Sequence, residues 1–317
     1  MLDIYRETKG VMQKLENIEP QVWIHMVAPT EEELQKVANS TGLIMDFLKA
    51  ALDEEERPRL ETEEGQALII INIPVARSSL TCVTLPLGII MGQNYIVTVC
   101  LEDIPLIQQL MHKDKVHTGK KTRLLLQLLY RTAIVYIDNV KRLNLKAREI
   151  ENQLRKSMKN EEMFGLMEIQ KSLVYLATAL RANQILMEKL LRSHLRPVDK
   201  KNEDHLPIKL YPEDEDLLED AITENQQALS MSEVHSNILS ETMDAFASII
   251  SNNLNIVMKF LAAITIVLAI PALVAAFYGM NVALPLQNSP YAFHFVVFIS
   301  AIAVVVATLI FYKRNML

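Results

Sequence analysis

Seven acidic residues lie close together near position 215, with no basic residue among them: Glu213, Asp214, Glu215, Asp216, Glu219, Asp220 and Glu224. Carboxylate oxygens are the ligands that hard cations prefer, so a run of this kind could bind a divalent ion. The simpler alternative is that acids in the first turn of a helix stabilise it through the helix dipole while remaining solvated. Either role requires a helix that begins near Glu213.

A second group with chemical potential is the tetrapeptide Tyr278-Gly279-Met280-Asn281, at the end of a long apolar segment. The amide of Asn281 offers a neutral oxygen ligand, and Gly279 permits a turn or a close backbone approach. A helix C-cap is the alternative, because Gly and Asn both favour that position. Whether Asn281 is an ion ligand or a helix cap depends on whether the apolar segment spans a membrane.

Two apolar segments, 260–278 and 293–312, are nineteen and twenty residues long. Neither contains Asp, Glu, Lys or Arg, and His294 is their only readily ionisable residue. Each is long enough to cross a hydrocarbon core of about 30 Å as a helix. Fourteen residues join them, so a membrane hairpin is predicted, with His294 at the membrane interface.

Basic residues predict the orientation of this hairpin. Lys259 precedes the first segment, Lys313 and Arg314 follow the second, and the loop 279–292 has neither Lys nor Arg. The positive-inside rule then places both termini in the cytoplasm and the loop outside. The N-terminal residues have no apolar core behind a basic start, so we expect no signal peptide. The expected location is the plasma membrane of bacterial inner-membrane type.

Composition excludes several functional classes. The net charge of −6 argues against a nucleic-acid partner, which would require a basic face. Cys82 and Cys100, the only cysteines, lie in strand-like apolar runs and are expected to be reduced and buried. The chain has no GxxxxGK[ST] phosphate loop, no HExxH motif and no CxxC pair, so we expect no enzyme activity.

The pattern before the membrane predicts an α/β cytoplasmic domain over 1–120. Short β-branched runs predict strands at 22–27, 67–75, 81–90 and 95–100, and helical patterns occur at 31–37 and 43–52. Pro74 and Pro86 fall inside two of these runs, which predicts edge strands or shorter ones. Alternation of strands and helices at this spacing is typical of a compact α/β domain.

Helices dominate the rest of the cytoplasmic part. A helical region is predicted over 121–211, with a break at Arg196-Pro197 and a polar loop over 198–205. Neither glycine nor proline occurs between Pro212 and Pro271, so a stalk helix over 212–259 should continue into the first membrane segment. Such a rod would be roughly 85 to 90 Å long.

These features together resemble the CorA family of Mg²⁺ channels and transporters. The resemblance is carried by Tyr278-Gly279-Met280-Asn281, the two C-terminal spans, Ser251-Asn252-Asn253, Val257-Met258-Lys259, and the stretch from Arg57-Pro58-Arg59 to Pro74. It implies a homopentamer in membrane lipid, with the first spans lining a pore and the second spans facing lipid. The predicted fold is therefore an α/β cytoplasmic domain with a long stalk helix continuous with the first of two transmembrane helices, followed by a tail at 313–317.

Spacing within the first span then indicates which residues line the pore. Positions three and four apart form one narrow stripe on a helix, and the predicted lining residues are Asn255, Met258, Leu261, Thr265, Ala269 and Ala272. An almost wholly apolar conduit of this kind can gate by dewetting, with Thr265 as its mid-membrane hydroxyl. Ordinary helix packing is the alternative for the same stripe.

The resemblance assigns selectivity to Gly279, Met280 and Asn281. Mg²⁺ gives up its waters reluctantly, so five Asn281 amides would hydrogen-bond a hydrated ion instead of stripping it. Two positions depart from the family pattern. The loop 282–291 lacks the acids that many members carry, and Ala272 replaces a threonine that many have before the signature.

The resemblance also implies regulation by intracellular Mg²⁺, bound by Asp216, Glu219 and Asp220 at the interface between subunits. The expected function is Mg²⁺ uptake down the electrochemical gradient, with Mg²⁺ both transported and regulatory. One alternative is a membrane-anchored oligomeric sensor or scaffold without transport. Another is a related transporter that prefers Co²⁺, Ni²⁺ or Zn²⁺.

Overall fold

The computed structural model describes residues 1–8, 11–113, 116–157, 160–195, 208, 210–282, 284–286, 289–314 and 316. Its elements are β1 (Leu2–Thr8), β2 (Val11–Leu15), β3 (Trp23–Val27), α1 (Glu31–Thr41), α2 (Met45–Ala50), β4 (Arg59–Glu63), β5 (Gln66–Ala76), β6 (Cys82–Met91), β7 (Ile96–Cys100), α3 (Pro105–Lys113), α4 (Lys121–Ser157), α5 (Asn160–Leu195), α6 (Pro212–Tyr278) and α7 (Ala292–Lys313). The predicted break at Arg196-Pro197 and the loop 198–205 lie outside the described residues.

Two compact units make up the chain: Met1–Glu241 and Thr242–Leu317. The boundary falls inside α6, which is one helix of 67 residues. The predicted fold class is confirmed, because an α/β sheet domain precedes a long helix that includes the first apolar segment and is followed by a second apolar helix.

A seven-stranded sheet forms the centre of the first unit, in the order β2-β1-β3-β7-β6-β5-β4. Only the β3–β7 pair is parallel. The four predicted strand runs form β3, β5, β6 and β7, which occupy adjacent inner positions. Strands β1, β2 and β4 were not predicted, because their residues mix apolar and charged types.

The two strands that contain proline are inner strands and reach full length, contrary to the expectation of edges or shorter runs. Pro74 lies opposite Thr84, and Pro86 lies opposite Asn72. At these positions β5 and β6 pair only with each other, because β4 pairs with the beginning of β5 and β7 pairs with the end of β6. A proline costs no ladder hydrogen bond on the side of a strand that has no neighbour.

A side chain takes the place of a neighbouring strand at Asn72 in β5. The Asn72 backbone N–H donates to Asn183 Oδ1 at 3.0 Å, and Asn183 Nδ2 donates back to the Asn72 carbonyl at 2.7 Å. The Tyr136 hydroxyl donates to the same carbonyl at 3.0 Å. Because Asn183 and Tyr136 are fully buried, these contacts satisfy backbone groups that would otherwise lack partners and anchor α4 and α5 on the sheet.

Apolar cores cover both faces of the sheet. On one face, α1 and α2 contribute Leu34, Val37, Phe47 and Leu48. Gly88 permits this close approach, since a Cβ there would lie 2.7 Å from the Ala51 Cβ. The other face carries α3, α4, the end of α5 and the beginning of α6 in a second buried cluster. The first unit therefore has three layers, with the sheet in the middle.

A row of polar side chains crosses the buried sheet. Asp3, His25 and Thr98 are register partners on β1, β3 and β7. The Thr98 hydroxyl accepts from Trp23 Nε1 and lies within 2.9 Å of His25 Nδ1, while His25 Nε2 has no hydrogen-bond partner in the described part of the chain. Burial lowers the pKa of His25 to about 4, against the raising effect of Asp103 and Asp3. His25 is therefore neutral near pH 7.

Two helices, α6 and α7, are long and apolar enough to cross a membrane. Only 6% of the most apolar part of α6 and none of that of α7 is buried, so the chain itself covers little of either helix. Pro271 lies inside the apolar part of α6. It has no N–H to donate to the carbonyl four residues earlier.

Candidate functional site

The signature tetrapeptide forms the end of α6 and the turn that follows it. The helix ends at Tyr278, and the Gly279 N–H donates to the carbonyls of Ala275 at 3.0 Å and Ala276 at 3.3 Å. Met280 N–H donates to the Phe277 carbonyl at 3.2 Å. These contacts close the helix with backbone groups alone.

Asn281 lies beyond this closure, in a bend, with an exposed side chain. It makes no hydrogen bond with the residues that the structure describes, so the closing contacts of α6 do not use its amide. Gly279 does not have a positive φ, and a Cβ there would lie 3.4 Å from the Ala275 carbonyl oxygen, an ordinary contact. A single chain thus gives no backbone reason for glycine at this position.

The predicted lining residues all lie on an exposed part of α6: Asn255, Met258, Leu261, Thr265, Ala269 and Ala272. The less exposed residues of the same segment, such as Ala263, Val267, Ile270 and Val274, lie on the opposite side of the helix, roughly 180° away at about 100° per residue. One side of the helix is therefore partly covered within the chain, while the predicted stripe is not.

Only one hydroxyl lies on the stripe. Thr265 Oγ1 donates to the Leu261 carbonyl of its own helix at 2.7 Å. Its hydrogen is therefore used, and the oxygen lone pairs are directed away from that bond. This arrangement suits an acceptor for the waters of a passing cation.

α7 has a similar division between a less exposed and an exposed side. Its partly covered residues recur at helical spacing, as at Val296, Ile299, Ala303 and Ala307, and its remaining apolar residues are exposed. Partial burial along one face of each helix is typical of two helices packed as a hairpin. In the single chain, one side of α6 and most of α7 therefore remain exposed.

The acidic run occupies the first turns of α6, and the structure divides it. Asp214 is 6% exposed and accepts from Arg123 Nη1 at 3.2 Å. The same guanidinium atom donates to the Glu213 carbonyl at 2.7 Å. Arg123 is 91 positions away from Asp214, on α4, so the run is not without a base in the folded chain.

Arg123 was not predicted from the sequence. Its only signal was a basic residue near the start of a helix, a pattern that many surface residues share. Arg123 lies between Lys121 and the buried residues Leu124 and Leu125, which hold α4 in the core. The start of α6 is thereby fixed to a rigid part of the first unit.

The predicted regulatory residues Asp216, Glu219 and Asp220 are exposed on α6. Within the described part of one chain, no three His, Cys, Asp or Glu side chains come together as a metal site. The three acids face away from the buried residues Leu218 and Ala221. They are available to an ion or to another surface.

Polar contacts join the first half of α6 to α5. Asn225 Nδ2 donates to the Leu180 carbonyl at 3.0 Å, and Ser232 Oγ donates to the Leu173 carbonyl at 2.7 Å. Arg181 and Glu233 form an exposed ion pair across the same helices. Because Asn225 and Ser232 are fully buried, these bonds define the register between the helices.

Comparisons with known proteins extend over nearly the whole chain. Residues 20–314 match the family described as CorA-like Mg²⁺ transporter protein. The chain is 29% identical over 304 residues to the cobalt/magnesium transport protein CorA of Methanocaldococcus jannaschii, covering 93% of this chain and 90% of that protein.

Solved structures give the same result. The complete structure of the CorA magnesium transporter from Methanocaldococcus jannaschii matches with a TM-score of 0.84 and 26% identity, over 100% of this chain and 99% of the other. The full-length CmaX protein matches with a TM-score of 0.67 and 15% identity, over 100% and 97% of the two chains, and this likeness concerns the fold alone. The chain belongs to the family of CorA-like Mg²⁺ transporter proteins.

Proposed function

We propose that five copies of this chain form a channel that admits Mg²⁺ to the cytoplasm down its electrochemical gradient. The observation that carries the proposal is the position of Gly279-Met280-Asn281, at the end of a membrane-length helix in a chain that matches a CorA transporter along its whole length. The proposed divisions are 1–120 for the α/β domain, 121–211 for the helical region, 212–259 for the stalk, 260–278 and 293–312 for the spans, 279–292 for the outer loop and 313–317 for the tail.

The proposed location is the plasma membrane, with both termini in the cytoplasm. Lys259, Lys313 and Arg314 flank the spans on one side, and the loop between the spans has no basic residue. This asymmetry supports the orientation. The inside-negative membrane potential would then drive cations from the loop side inward, at about 2.3 kcal/mol per charge and 100 mV.

Selectivity is assigned to the Asn281 side chains at the outer mouth. The amide is exposed and makes no hydrogen bond with described residues, so its oxygen is available to the water shell of an ion. Mg²⁺ holds its waters strongly, and neutral oxygens can bind a hydrated ion without removing them. Gly279 and Met280 shape the turn that presents the amide.

The stripe from Asn255 to Ala272 is the proposed pore lining. Its side chains are exposed and lie opposite the covered face of α6, as a lining requires. Leu261 and Ala269 provide apolar rings that can exclude water when the pore narrows. Thr265 provides the one mid-membrane hydroxyl.

Regulation is proposed to act through Asp216, Glu219 and Asp220. These carboxylates are exposed, whereas Asp214 is engaged by Arg123 and is left out of the proposed site. A divalent ion bound between the acids of neighbouring subunits would relieve their mutual repulsion. Loss of internal Mg²⁺ would then favour separation of the stalks and opening.

The proposal is tested by Mg²⁺ entry into liposomes at low internal Mg²⁺ and an inward potential. The wild-type chain should admit Mg²⁺, and Asn281→Ala should abolish selective entry while the oligomer stays intact. Asn253→Ala removes the same group from an exposed position of α6 outside the stripe and should behave as wild type. Absence of entry by the wild type, or full entry by Asn281→Ala, would contradict the proposal.

The regulatory part has a separate test. Replacing Asp216, Glu219 and Asp220 with Asn, Gln and Asn removes three negative charges from each subunit. Millimolar internal Mg²⁺ should inhibit entry through the wild type and have much less effect on this variant. Equal inhibition of both proteins would show that these acids are not the sensor.

Two alternatives remain to be separated. The Methanocaldococcus jannaschii relative is named a cobalt/magnesium transport protein, which makes Co²⁺ the first alternative ion to test. Entry measured with Co²⁺, Ni²⁺ and Zn²⁺ in competition with Mg²⁺ would establish the order of preference. A non-transporting tether would form oligomers yet admit none of these ions.

A further inference from the structure

The first half of α6 lies against α5 through small and polar side chains. Between Leu218 and Leu239, the buried residues of α6 are Ala221, Asn225, Ala228, Ser232 and Ser236. None of them is a large apolar residue. Because hydrophobic stabilisation is proportional to the apolar area removed from water, this contact is stabilised less by burial than the leucine-rich packing of α4 and α5 on the sheet.

The hydrogen bonds across this contact can be lost without leaving a backbone group unpaired. Asn225 Nδ2 and Ser232 Oγ donate to carbonyls of α5, at Leu180 and Leu173, that lie well inside the helix. In an α-helix each such carbonyl already accepts from the N–H four residues later. If the two helices separated, the carbonyls would keep these partners, and water would bind the freed amide and hydroxyl.

Asn225 also carries a polar atom that the contact leaves unsatisfied. Its Nδ2 donates to Gln184 Oε1 at 2.9 Å as well as to the Leu180 carbonyl. Its Oδ1 is buried and has no hydrogen-bond partner in the described part of the chain. A buried oxygen without a donor costs free energy, which is recovered when water reaches it. The contact is therefore biased towards opening at Asn225.

The start of α6 is held more firmly than this contact. Asp214 pairs with Arg123 of α4, and Leu218 belongs to the buried cluster on the sheet. α5 is fixed to the same sheet, since Asn183 binds the backbone of Asn72. A helix that is held at its start and only weakly held beyond it can pivot about that start.

We propose that residues 225–236 of α6 form a releasable contact with α5, which opens when internal Mg²⁺ is lost. The inference rests on the proposed function, in which Asp216, Glu219 and Asp220 bind regulatory Mg²⁺ between subunits. Without the ion, repulsion between these acids moves the first units apart while the membrane holds the spans. α6 then pivots about its fixed start and separates from α5.

Cysteine labelling of the full chain in liposomes tests this opening. Ser232→Cys places a thiol in the contact, where the native side chain is fully buried, and Ser230→Cys places one on the exposed side of the same helix. A membrane-permeant maleimide is added with millimolar Mg²⁺ on both sides, or after removal of Mg²⁺ by a chelator. Removal should speed the labelling of Ser232→Cys at least about tenfold and leave that of Ser230→Cys unchanged.

The native cysteines provide the control for unfolding. Cys82 and Cys100 are buried in the sheet, so the unaltered chain should stay unlabelled with and without Mg²⁺. Labelling of these two cysteines after removal of Mg²⁺ would trace the exposure to loss of the whole fold and would overturn the inference. Equal protection of the Ser232→Cys thiol at both Mg²⁺ levels would overturn it as well.

A second variant measures the effect of the contact on transport. Asn225→Leu removes the unsatisfied oxygen and adds apolar area, so it should strengthen the contact and slow Mg²⁺ entry at low internal Mg²⁺ at least about threefold. Asn237→Leu makes the same change on the exposed side of α6 and should leave entry unchanged. The denaturation midpoint of Asn225→Leu, followed by Trp23 fluorescence, should not fall, which distinguishes a strengthened contact from a damaged fold.

Unchanged entry through Asn225→Leu, equal slowing by both leucine variants, or a lowered midpoint of Asn225→Leu would contradict the releasable contact. Absence of Mg²⁺ entry by the unaltered chain would instead overturn the proposed function, and this inference with it. Labelling requires no transport, so the two failures are separated by different measurements.

Discussion

The two units of the chain differ in how much of their own surface they bury. In the first unit the sheet is buried on both faces, and even its isolated backbone groups find partners, as Asn72 does with Asn183. In the second unit, Phe246 and Ala263 are the only buried residues among those described. The first unit is stabilised by its own core, whereas two apolar helices that bury so little require lipid and further protein surfaces.

The largest effect that can test this contrast lies in the second unit. Ala269→Leu enlarges an exposed side chain on the proposed lining stripe and should lower Mg²⁺ entry at least about tenfold, because five larger groups in the proposed pentamer would narrow and dry the conduit. Ala301→Leu makes the same change at an exposed position of α7 and should leave entry unchanged. Equal losses of Mg²⁺ entry in the two variants would contradict the proposal that the stripe lines the pore.

The next effect is a loss of folding stability of the first unit at low pH. His25 has its pKa lowered to about 4 in the folded chain, so the unfolded state binds the proton more readily between about pH 6.5 and pH 4. Stability is therefore full above pH 6.5 and should fall by about 3 kcal/mol as the pH drops to 4.

Unfolding by denaturant can be followed in the full chain through Trp23, the only tryptophan, whose indole donates to Thr98 beside His25. His25→Gln should remove most of the loss of stability between pH 6.5 and 4.5. A variant that keeps the whole pH dependence would place its origin elsewhere.

A smaller effect is expected where α6 begins. Arg123→Gln leaves the Asp214 carboxylate buried without its cation and should lower the free energy of unfolding of the first unit by about 1 to 2 kcal/mol. Arg192→Gln breaks an exposed pair with Glu188 and should cost less than about 0.5 kcal/mol. Equal losses would mean that burial of Asp214 does not matter. The same Trp23 signal measures both.

The strands that were predicted correctly are those whose own residue pattern indicates a strand. The β-branched runs of β3, β5, β6 and β7 are largely buried on both faces and therefore mostly apolar, with His25 and Thr98 among the exceptions. Strands at the sides of the sheet are partly solvated and carry charges, as β4 does in Arg59–Glu63, so their pattern is weak.

Contacts between distant residues could not be predicted in this way. The Arg123–Asp214 pair depends on which helices the fold brings together, and no local signal in either segment indicates it. In α6, the helical period correctly placed the residues predicted to line a pore on one exposed side. The surfaces that cover this side come from other molecules, so no residue pattern within the chain specifies them.

Pro271 gives the longest helix of the molecule a mechanical weak point. Its missing N–H leaves the Val267 carbonyl without the usual intrahelical donor, in a region where water is absent. Bending at Pro271 breaks no backbone hydrogen bond, whereas bending among the preceding helical residues would strain hydrogen bonds that are present. A force transmitted along α6 would therefore change its direction most easily two turns before the signature, so that the signature could tilt while the part of α6 before Pro271 remained straight.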